Sequence, residues 1–497
     1  MERPLLPLGD YVQLLAAHDL LVQPTAADLA RRVAAVTCDS RGAVPGSLFL
    51  CKGAAFKEEY LREALRRGAF AYVSERPHPV AVPCVQVKEI RLTMGLLADL
   101  AWGHPSGRMP VVGITGTKGK TTTAYFLKAI LDAWREGQHP VGLLSSIDTD
   151  DGHRREPSVL TTPEPLDLQR HLWNALDAGC GWVVMECSSQ ALKYGRLTGV
   201  DLETALFLNL GEDHISPKEH PTAEDYFQSK LKIFSLAKNA VVNLDSDRAD
   251  EVLSAAGVCK RVLTYSRKNP AADLYLLRSG REGAGLGFTV MYGGKEENFT
   301  IPMAGEFNLD NALAALCAAS LAGVPAQAVR KGLAAARVPG RMETWYRDGK
   351  TVIVDYAHNG MSLAAVLRAV RKDYPEEPVT VLFGCTGGKG LDRREGMGKA
   401  AGELADTIFL TEDDAASEDV EAICAEIGSY IAPYGKTWTV IPDRAEAIRQ
   451  AIETAQRPSV IVLAGKGCET RQLRKNGPEP WATDALLAKK WLGLPLF

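Results

Sequence analysis

Between residues 109 and about 337, short apolar runs alternate with stretches of helical periodicity. Val111–Ile114, Trp182–Met185 (closed by Glu186), Thr204–Leu210 and Ala240–Leu244 read as buried strands. Amphipathic helices are predicted over Ala124–Trp134 and residues 222–234. Such alternation builds a largely parallel sheet. Residues 305–315 open an Ala-rich helix. A Pro-Gly turn in Val338-Pro-Gly-Arg-Met-Glu343 marks a boundary, and the grammar then resumes with strands at Val352–Ala357, Val379–Phe383 and Ser459–Leu463. Residues 1 to about 107 hold shorter apolar runs, with a turn at Asp39-Ser40-Arg41 before a strand through Leu48–Leu50. Gly103–Met109 reads as a linker. The pattern predicts an α/β chain in three domains, 1–107, 108–337 and 338–497.

A chain of 497 residues is too long for a single core. Its 46% hydrophobic and 24% charged content is that of a soluble globular protein. A net charge of −4 gives no reason to expect nucleic acid as a partner. Ten cysteines are scattered without C-x-x-C spacing, which points to neither a zinc site nor a disulfide framework. The stretch Met1-Glu-Arg-Pro-Leu-Leu does not read as a signal peptide, and no apolar run reaches the roughly 18 residues of a membrane span. A cytoplasmic protein without stable membrane insertion is expected, and a monomer.

The chemistry gathers where predicted strands end. Gly113-Ile-Thr-Gly116-Thr117-Lys118-Gly119-Lys120-Thr121-Thr122 joins a strand to a helix and has the layout of a phosphate cradle. Its glycines let backbone N–H groups face an anion, and the helix N-terminus adds partial positive charge. Lys120 would reach the outer phosphates, and the Thr121 hydroxyl would hold Mg²⁺. Gly113 lies six residues before Gly119, one more than the usual spacing. Glu186 follows an apolar run and needs a buried partner, for which Mg²⁺ is the natural one. His214, beside Asp213 and after a strand, is a candidate ligand.

In the 222–234 helix, Lys230 falls in the middle of an arc formed by Tyr226, Phe227, Leu231, Ile233 and Phe234, whereas Lys232 falls on the polar side. Lysine is rarely buried unpaired. Burial keeps part of an amine neutral and nucleophilic, so Lys230 can be catalytic, pair with a carboxylate, or add CO₂ to become a carbamate. A lysine stem lying along apolar surface is the plainer alternative. Thr222-Ala-Glu-Asp225 resembles a capping box with Asp in place of Glu. Asn308 and Asn311 share one face of a helical first turn, where amides cap the helix or read a base edge. Glu412, Asp413, Asp414 and Glu418 form an acidic loop, either solvated or facing a cleft that selects a cation. Gly387-Gly-Lys-Gly390 is only a weak second phosphate loop, since no Lys-Ser/Thr opens a helix after it.

These motifs together resemble the Mur ligase family. The phosphate loop is similar to that family's ATP loop, including its unusual spacing. Met185-Glu-Cys-Ser-Ser189, Asn209-Leu-Gly-Glu-Asp-His214, Gly305-Glu-Phe-Asn-Leu-Asp-Asn311, Pro339-Gly-Arg-Met-Glu343 and Asp355-Tyr-Ala-His358 look like its remaining motifs. Asp39-Ser-Arg41, Leu160-Thr-Thr-Pro163, Gly195-Arg196 and Ala464-Gly-Lys-Gly-Cys-Glu469 resemble the branch that builds the UDP-N-acetylmuramoyl tripeptide. The resemblance implies a UDP-sugar domain, a central P-loop-type ATPase domain with a mostly parallel sheet, and a Rossmann-like amino-acid domain. It implies an ATP-dependent amide ligase acting on UDP-MurNAc-L-Ala-D-Glu through an acyl phosphate, in peptidoglycan precursor synthesis.

By motif position, ATP would lie against Gly116, Thr117, Lys118, Gly119, Lys120, Thr121, Thr122, Asn308, Asn311, Arg341, Asp355 and His358. Thr121, Glu186, His214 and a carbamylated Lys230 would surround two Mg²⁺ ions, with Lys120, Glu186, His214 and Lys230 as the catalytic set. Ser40, Arg41, Thr161, Thr162, Ser188, Gln190 and Arg196 would contact the UDP-muramoyl dipeptide. Arg393, Asp413, Asp414, Ala416, Gly465 and Glu469 would receive the incoming amino acid.

Two departures from the family pattern are Gln190 and Cys468 where His is usual. A third concerns the acceptor. Members that add meso-diaminopimelate carry Asp-Asn-Pro-Arg where this chain has Asp413-Asp414-Ala415-Ala416. Losing a bidentate Arg costs roughly 1.5–3 kcal/mol. L-Lysine or a similar diamine is therefore the expected acceptor. The alternatives are a divergent paralogue, and a folylpolyglutamate- or cyanophycin-type ligase with another acceptor.

Overall fold

The computed structural model describes residues 3–53, 56–136, 138–211, 215–216, 219–283, 285–292, 294–388 and 390–496. The chain folds as two compact units, residues 1–273 with 317–323, and residues 274–316 with 324–497.

The first unit opens with a four-stranded parallel sheet in the order β1 (Ala35–Thr37), β2 (Ser47–Leu50), β3 (Ala71–Ser74) and β4 (Cys84–Gln86). Leu48, Leu50, Val73 and Val85 pack there against Leu8, Tyr11 and Leu97. The strands that follow are β5 (Val111–Thr115), β6 (Val141–Leu144), β7 (Asp148–Asp150), β8 (Arg155–Pro157), β9 (Trp182–Glu186), β10 (Leu202–Phe207), β11 (Ala237–Asn243) and β12 (Arg261–Ser266). They pair in the order β12-β11-β10-β5-β9-β6-β7-β8. All but β7 and β8 run parallel to their neighbours. Parallel strands need both faces covered, which explains their unbroken Val/Ile/Leu runs. Ile114 registers with Glu186 across β5 and β9, so the phosphate loop and the Glu186 turn leave the sheet side by side.

Gly113 is not part of that loop. It sits inside β5, where a Cβ would lie 2.6 Å from Leu202 Cδ1 and 3.0 Å from Cys187 Sγ. Its glycine answers to core packing, which accounts for the extra residue in the spacing. The following helix is Lys120–Arg135, so it begins at the loop lysine, four residues before the apolar periodicity does. The helix predicted over 222–234 runs only over Ala223–Leu231, and Lys232–Leu236 is a 3₁₀ turn. Helix C-termini often tighten in this way. Ile233 and Phe234 stay buried through the change.

In the second unit, β13 (Leu274–Glu282), β14 (Gly285–Tyr292) and β15 (Lys295–Ile301) form an antiparallel meander. Another sheet contains β16 (Glu343–Arg347), β17 (Lys350–Asp355), β18 (Val379–Phe383), β19 (Thr407–Leu410), β20 (Thr439–Val440) and β21 (Ser459–Ala464). Its order is β16-β17-β21-β18-β19-β20, parallel except for β16. The hairpin β22 (Arg471–Arg474) and β23 (Gly477–Pro480) follows. Beneath the sheet, Arg444 is fully buried against Asp484, with contacts of 3.0 Å from Nε and 2.6 Å from Nη2.

Breaking that ion pair from one side should be costly. Arg444→Met strands a buried carboxylate and is expected to destabilise the unit by about 3–5 kcal/mol. Arg444→Met with Asp484→Leu should recover most of this in denaturant unfolding. A single variant as stable as the parent would contradict the assignment.

Candidate active site

In the first unit the sites predicted from the strand ends converge. Gly116 and Gly119 take φ of +152° and +86°, conformations that favour glycine. Lys120 Nζ donates to the Gly116 carbonyl at 2.9 Å and to that of Thr117 at 3.2 Å. Lys230, 1% exposed, donates to the same Gly116 carbonyl at 2.8 Å. Its ammonium also lies 4.4 Å from the centroid of the Tyr226 ring, a cation–π distance. Lys232 is exposed. The helix therefore aims Lys230, and not Lys232, at the phosphate loop.

Thr121 donates from Oγ1 to Glu186 Oε1 at 2.8 Å, and the Ser146 backbone N–H reaches the same oxygen at 2.7 Å. Thr117 and Thr122 are buried and Lys118 is exposed. The loop is held from behind by Asn209. Its backbone carbonyl accepts from Thr117 N (3.0 Å), its side-chain oxygen accepts from Lys118 N (2.9 Å), and its amide donates to Lys118 O (3.0 Å). This grip was not assigned from the sequence. Its signals were a polar residue near the end of an apolar run and its place at the head of the Asn209–His214 motif. His214 lies outside the described residues.

Of the residues expected at the UDP-muramoyl dipeptide, three are brought together. Buried Thr162 donates to Glu186 O at 2.9 Å and accepts from Ser188 N at 3.0 Å. Arg196 donates to Thr162 O at 3.1 Å and pairs with Glu164 at 2.8 Å. Lys52 pairs with the other oxygen of Glu164, a link absent from the sequence reading. Burial works against this carboxylate, but the Lys52 hydrogen bond and the charges of Arg196 and Lys52 together hold it below its ordinary range. Thr161 and Gln190 are half-buried. Ser40 is buried on its own turn, and Arg41 is exposed and gripped by both oxygens of Asp39 at 3.1 Å.

Thr222 caps its helix by accepting from Asp225 N at 3.0 Å. The box is only half made, because the Asp225 carboxylate turns to Lys193 and His220.

In the second unit, Asn308 donates to Ala304 O at 2.7 Å and accepts from Asn311 at 3.1 Å. Asp355 accepts backbone N–H groups from Met342 and Ala357, each at 2.8 Å, and burial pushes its carboxyl up against the pull of Arg341. The Arg341 guanidinium lies 4.9 Å from the Tyr356 ring centroid, and His358 packs edge-on to that ring at 4.8 Å.

The acidic loop is neither a solvated face nor a free anionic patch. Glu412 is gripped by Arg474 at 2.6 and 3.0 Å. Asp414 accepts from Lys466 at 2.9 Å, and Lys466 also pairs with Glu469 at 2.5 Å. Glu418 pairs with Arg394 at 2.7 Å. Asp413 is buried, and a Cβ on Gly465 would lie 2.3 Å from its Oδ2. Ala416, with φ of +52°, donates its N–H to Leu473 O at 3.0 Å. Gly387 donates to Asp414 O at 3.1 Å, and a Cβ there would meet Ala415 O, so that glycine serves loop packing rather than phosphate binding. Arg393 is half-buried in the first turn of the helix Asp392–Leu404.

Among the described residues no group of three His, Cys, Asp or Glu side chains is placed to hold a metal ion. Thr121 and Glu186 offer hard oxygens beside a phosphate cradle. Magnesium typically takes one or two such protein ligands with phosphate oxygens and water.

Burial raises the Asp413 carboxyl from 3.8 to about 7, although Arg444 and Lys466 pull it down. Between those values the folded state binds more protons than the unfolded one. The stabilisation is therefore complete below pH 3.8 and is lost as pH rises through about 7. Over this window the unfolding free energy of the parent should fall more steeply than that of Asp413→Asn, by at most about 1.4 kcal/mol per pH unit. Parallel curves would show that Asp413 does not titrate there.

Residues 114–319 match the Mur ligase middle domain, and residues 340–467 match the Mur ligase, glutamate ligase domain. A UDP-N-acetylmuramoyl-L-alanyl-D-glutamate--L-lysine ligase of Enterococcus faecalis is 39% identical, covering 93% of this chain and 92% of that protein. A UDP-N-acetylmuramyl-tripeptide synthetase of Lactobacillus delbrueckii subsp. bulgaricus is 36% identical over 97% of this chain and 98% of its own. A solved UDP-N-acetylmuramoyl-L-alanyl-D-glutamate--2,6-diaminopimelate ligase superposes with a TM-score of 0.73 at 28% identity, over 99% of both chains. With two domains matched in order and relatives aligned over nearly their whole length, the chain belongs to the Mur ligase family.

Proposed function

We propose that this Mur ligase is a tripeptide synthetase that joins L-lysine to UDP-N-acetylmuramoyl-L-alanyl-D-glutamate at the expense of ATP. The observation behind this reading is the convergence of Lys120, Lys230, Thr121 and Glu186 on one phosphate loop. The dipeptide carboxylate takes the terminal phosphoryl group of ATP and ADP leaves. The lysine amine then attacks the acyl carbon, phosphate departs and a proton is released. Lys120 donates to the transferring phosphoryl oxygens, which replace the Gly116 and Thr117 carbonyls as its acceptors. The Lys120–Arg135 helix N-terminus adds partial positive charge. Thr121 and Glu186, joined by His214, would hold magnesium, which offsets the charge spread over the phosphoryl oxygens. Thr162, Ser188 and Arg196 seat the dipeptide, and the three-domain division at 107/108 and 337/338 forms part of this reading.

Lys230 is read as a carbamate. Its ammonium would lose one proton to become the amine, add CO₂ and release a second proton, turning a cation beside Lys120 into an anion suited to a metal. The choice of lysine rests on the lysine-ligase relatives and on Ala416, where an arginine would grip a second carboxylate. It does not rest on free acidic charge, because the loop's carboxylates are already paired or buried.

The kcat/KM for L-lysine should exceed that for meso-diaminopimelate by at least about tenfold, the equivalent of roughly 1.4 kcal/mol. A higher value for meso-diaminopimelate overturns the assignment. Lys230→Ala should abolish turnover, and ¹³CO₂ should give the parent a carbamate carbon resonance that this variant lacks. The same resonance in Lys230→Ala would place the modification elsewhere.

A further inference from the structure

A buried hydrogen-bonded chain connects the turn after β9 to the helix that bears Lys230. His220, with no exposed surface, sets Nε2 3.0 Å from Ser189 Oγ and Nδ1 2.7 Å from Asp225 Oδ2. Lys193 donates to the same Asp225 oxygen at 2.7 Å and to Glu219 O at 3.0 Å. The Lys193 hydrogen bond, with that of His220, holds the Asp225 carboxyl below its ordinary range despite partial burial. Asp225 is thus the acceptor and Nδ1 the donor. In the neutral ring Nε2 is then left to accept from the Ser189 hydroxyl.

The other side of the imidazole meets Tyr226 edge-on, with centroids 5.1 Å apart. Tyr226 in turn touches both halves of the phosphate site. Its ring lies 4.4 Å from Lys230 Nζ, and its hydroxyl donates to Thr117 Oγ1 at 3.2 Å. Ser189 follows Ser188, whose backbone N–H is held by Thr162, the residue that also bonds Glu186 O. The serine, histidine and aspartate stand in the order of a nucleophile relay. However, Ser189 is only 5% exposed and Asp225 is shared with Lys193, so the arrangement is suited to fixing positions.

We propose that His220 is a positioning residue that keeps the Glu186–Ser189 turn and the Tyr226–Lys230 helix in mutual register at the phosphate loop. The proposal rests on the reading of Glu186 and Lys230 as the metal-facing pair. His220→Phe keeps an aromatic ring against Tyr226 and deletes both hydrogen bonds. It should lower kcat between about tenfold and a hundredfold, the scale of a misplaced reacting group. The gain in affinity that magnesium confers on a non-hydrolysable ATP analogue, measured by calorimetry, should shrink as well. KM for lysine should stay within about twofold, as expected when the lost interaction acts in the transition state. His220→Gln, which can still bond Ser189, should recover part of both losses.

A lower melting temperature with parental kcat and magnesium-linked affinity would make His220 merely structural and overturn the proposal. If His220→Phe does not fold, Ser189→Ala should show the same pattern in weaker form, and a parental profile there overturns the proposal equally. Glu186→Gln separates the two levels. If it leaves turnover and magnesium-linked affinity intact, the metal-site reading fails. If it removes both while His220→Phe changes neither, only the positioning inference fails.

Discussion

Two ammonium groups, from Lys120 and Lys230, donate to one backbone carbonyl, that of Gly116. A shared carbonyl oxygen, itself a partial negative charge, draws both side chains to the same point of the loop. The rest of the first unit serves to hold that point. The β5–β9 register places Glu186 beside the loop, and the start of the helix at Lys120 puts Thr121 within 2.8 Å of that carboxylate. Asn209, from the end of β10, fastens the loop's outer edge.

A buried carboxylate such as Glu186 is costly unless its oxygens are satisfied. Here one oxygen takes two donors, the Thr121 hydroxyl and the Ser146 backbone. The same residue is linked through its carbonyl to Thr162, and through Thr162 to Arg196. Thr121, Glu186, Thr162 and Arg196 thus belong to one hydrogen-bonded chain.

The second unit handles charge differently. Glu412, Asp414, Glu418 and Glu469 are met by Arg474, Lys466 and Arg394 from the same unit. Such pairs hold loops in one geometry more than they add net stability. The hairpin from Arg471 to Pro480 takes part in this, since Leu473 bonds both the Asp414 side chain and Ala416 N.

The central parallel strands of the two larger sheets, the glycine-rich loop between strand and helix, the inward aim of Lys230 and the family itself were legible in the sequence, whereas the antiparallel β13–β15 meander and the β22–β23 hairpin were not. Periodicities of two and 3.6 residues, and the glycine demand at φ of +86°, are local properties. Local properties did not reveal that Gly113 and Gly387 are required by packing against Leu202 and Ala415. Nor did they show the 3₁₀ ending after Leu231, the Asn209 grip, the Lys52–Glu164 pair, or the cations that neutralise the acidic loop. Each depends on a residue far away in the chain, or on how neighbouring elements crowd a helix end. Residue type and spacing determine which groups are present and which face they take, but their partners are settled only when the strands close into sheets.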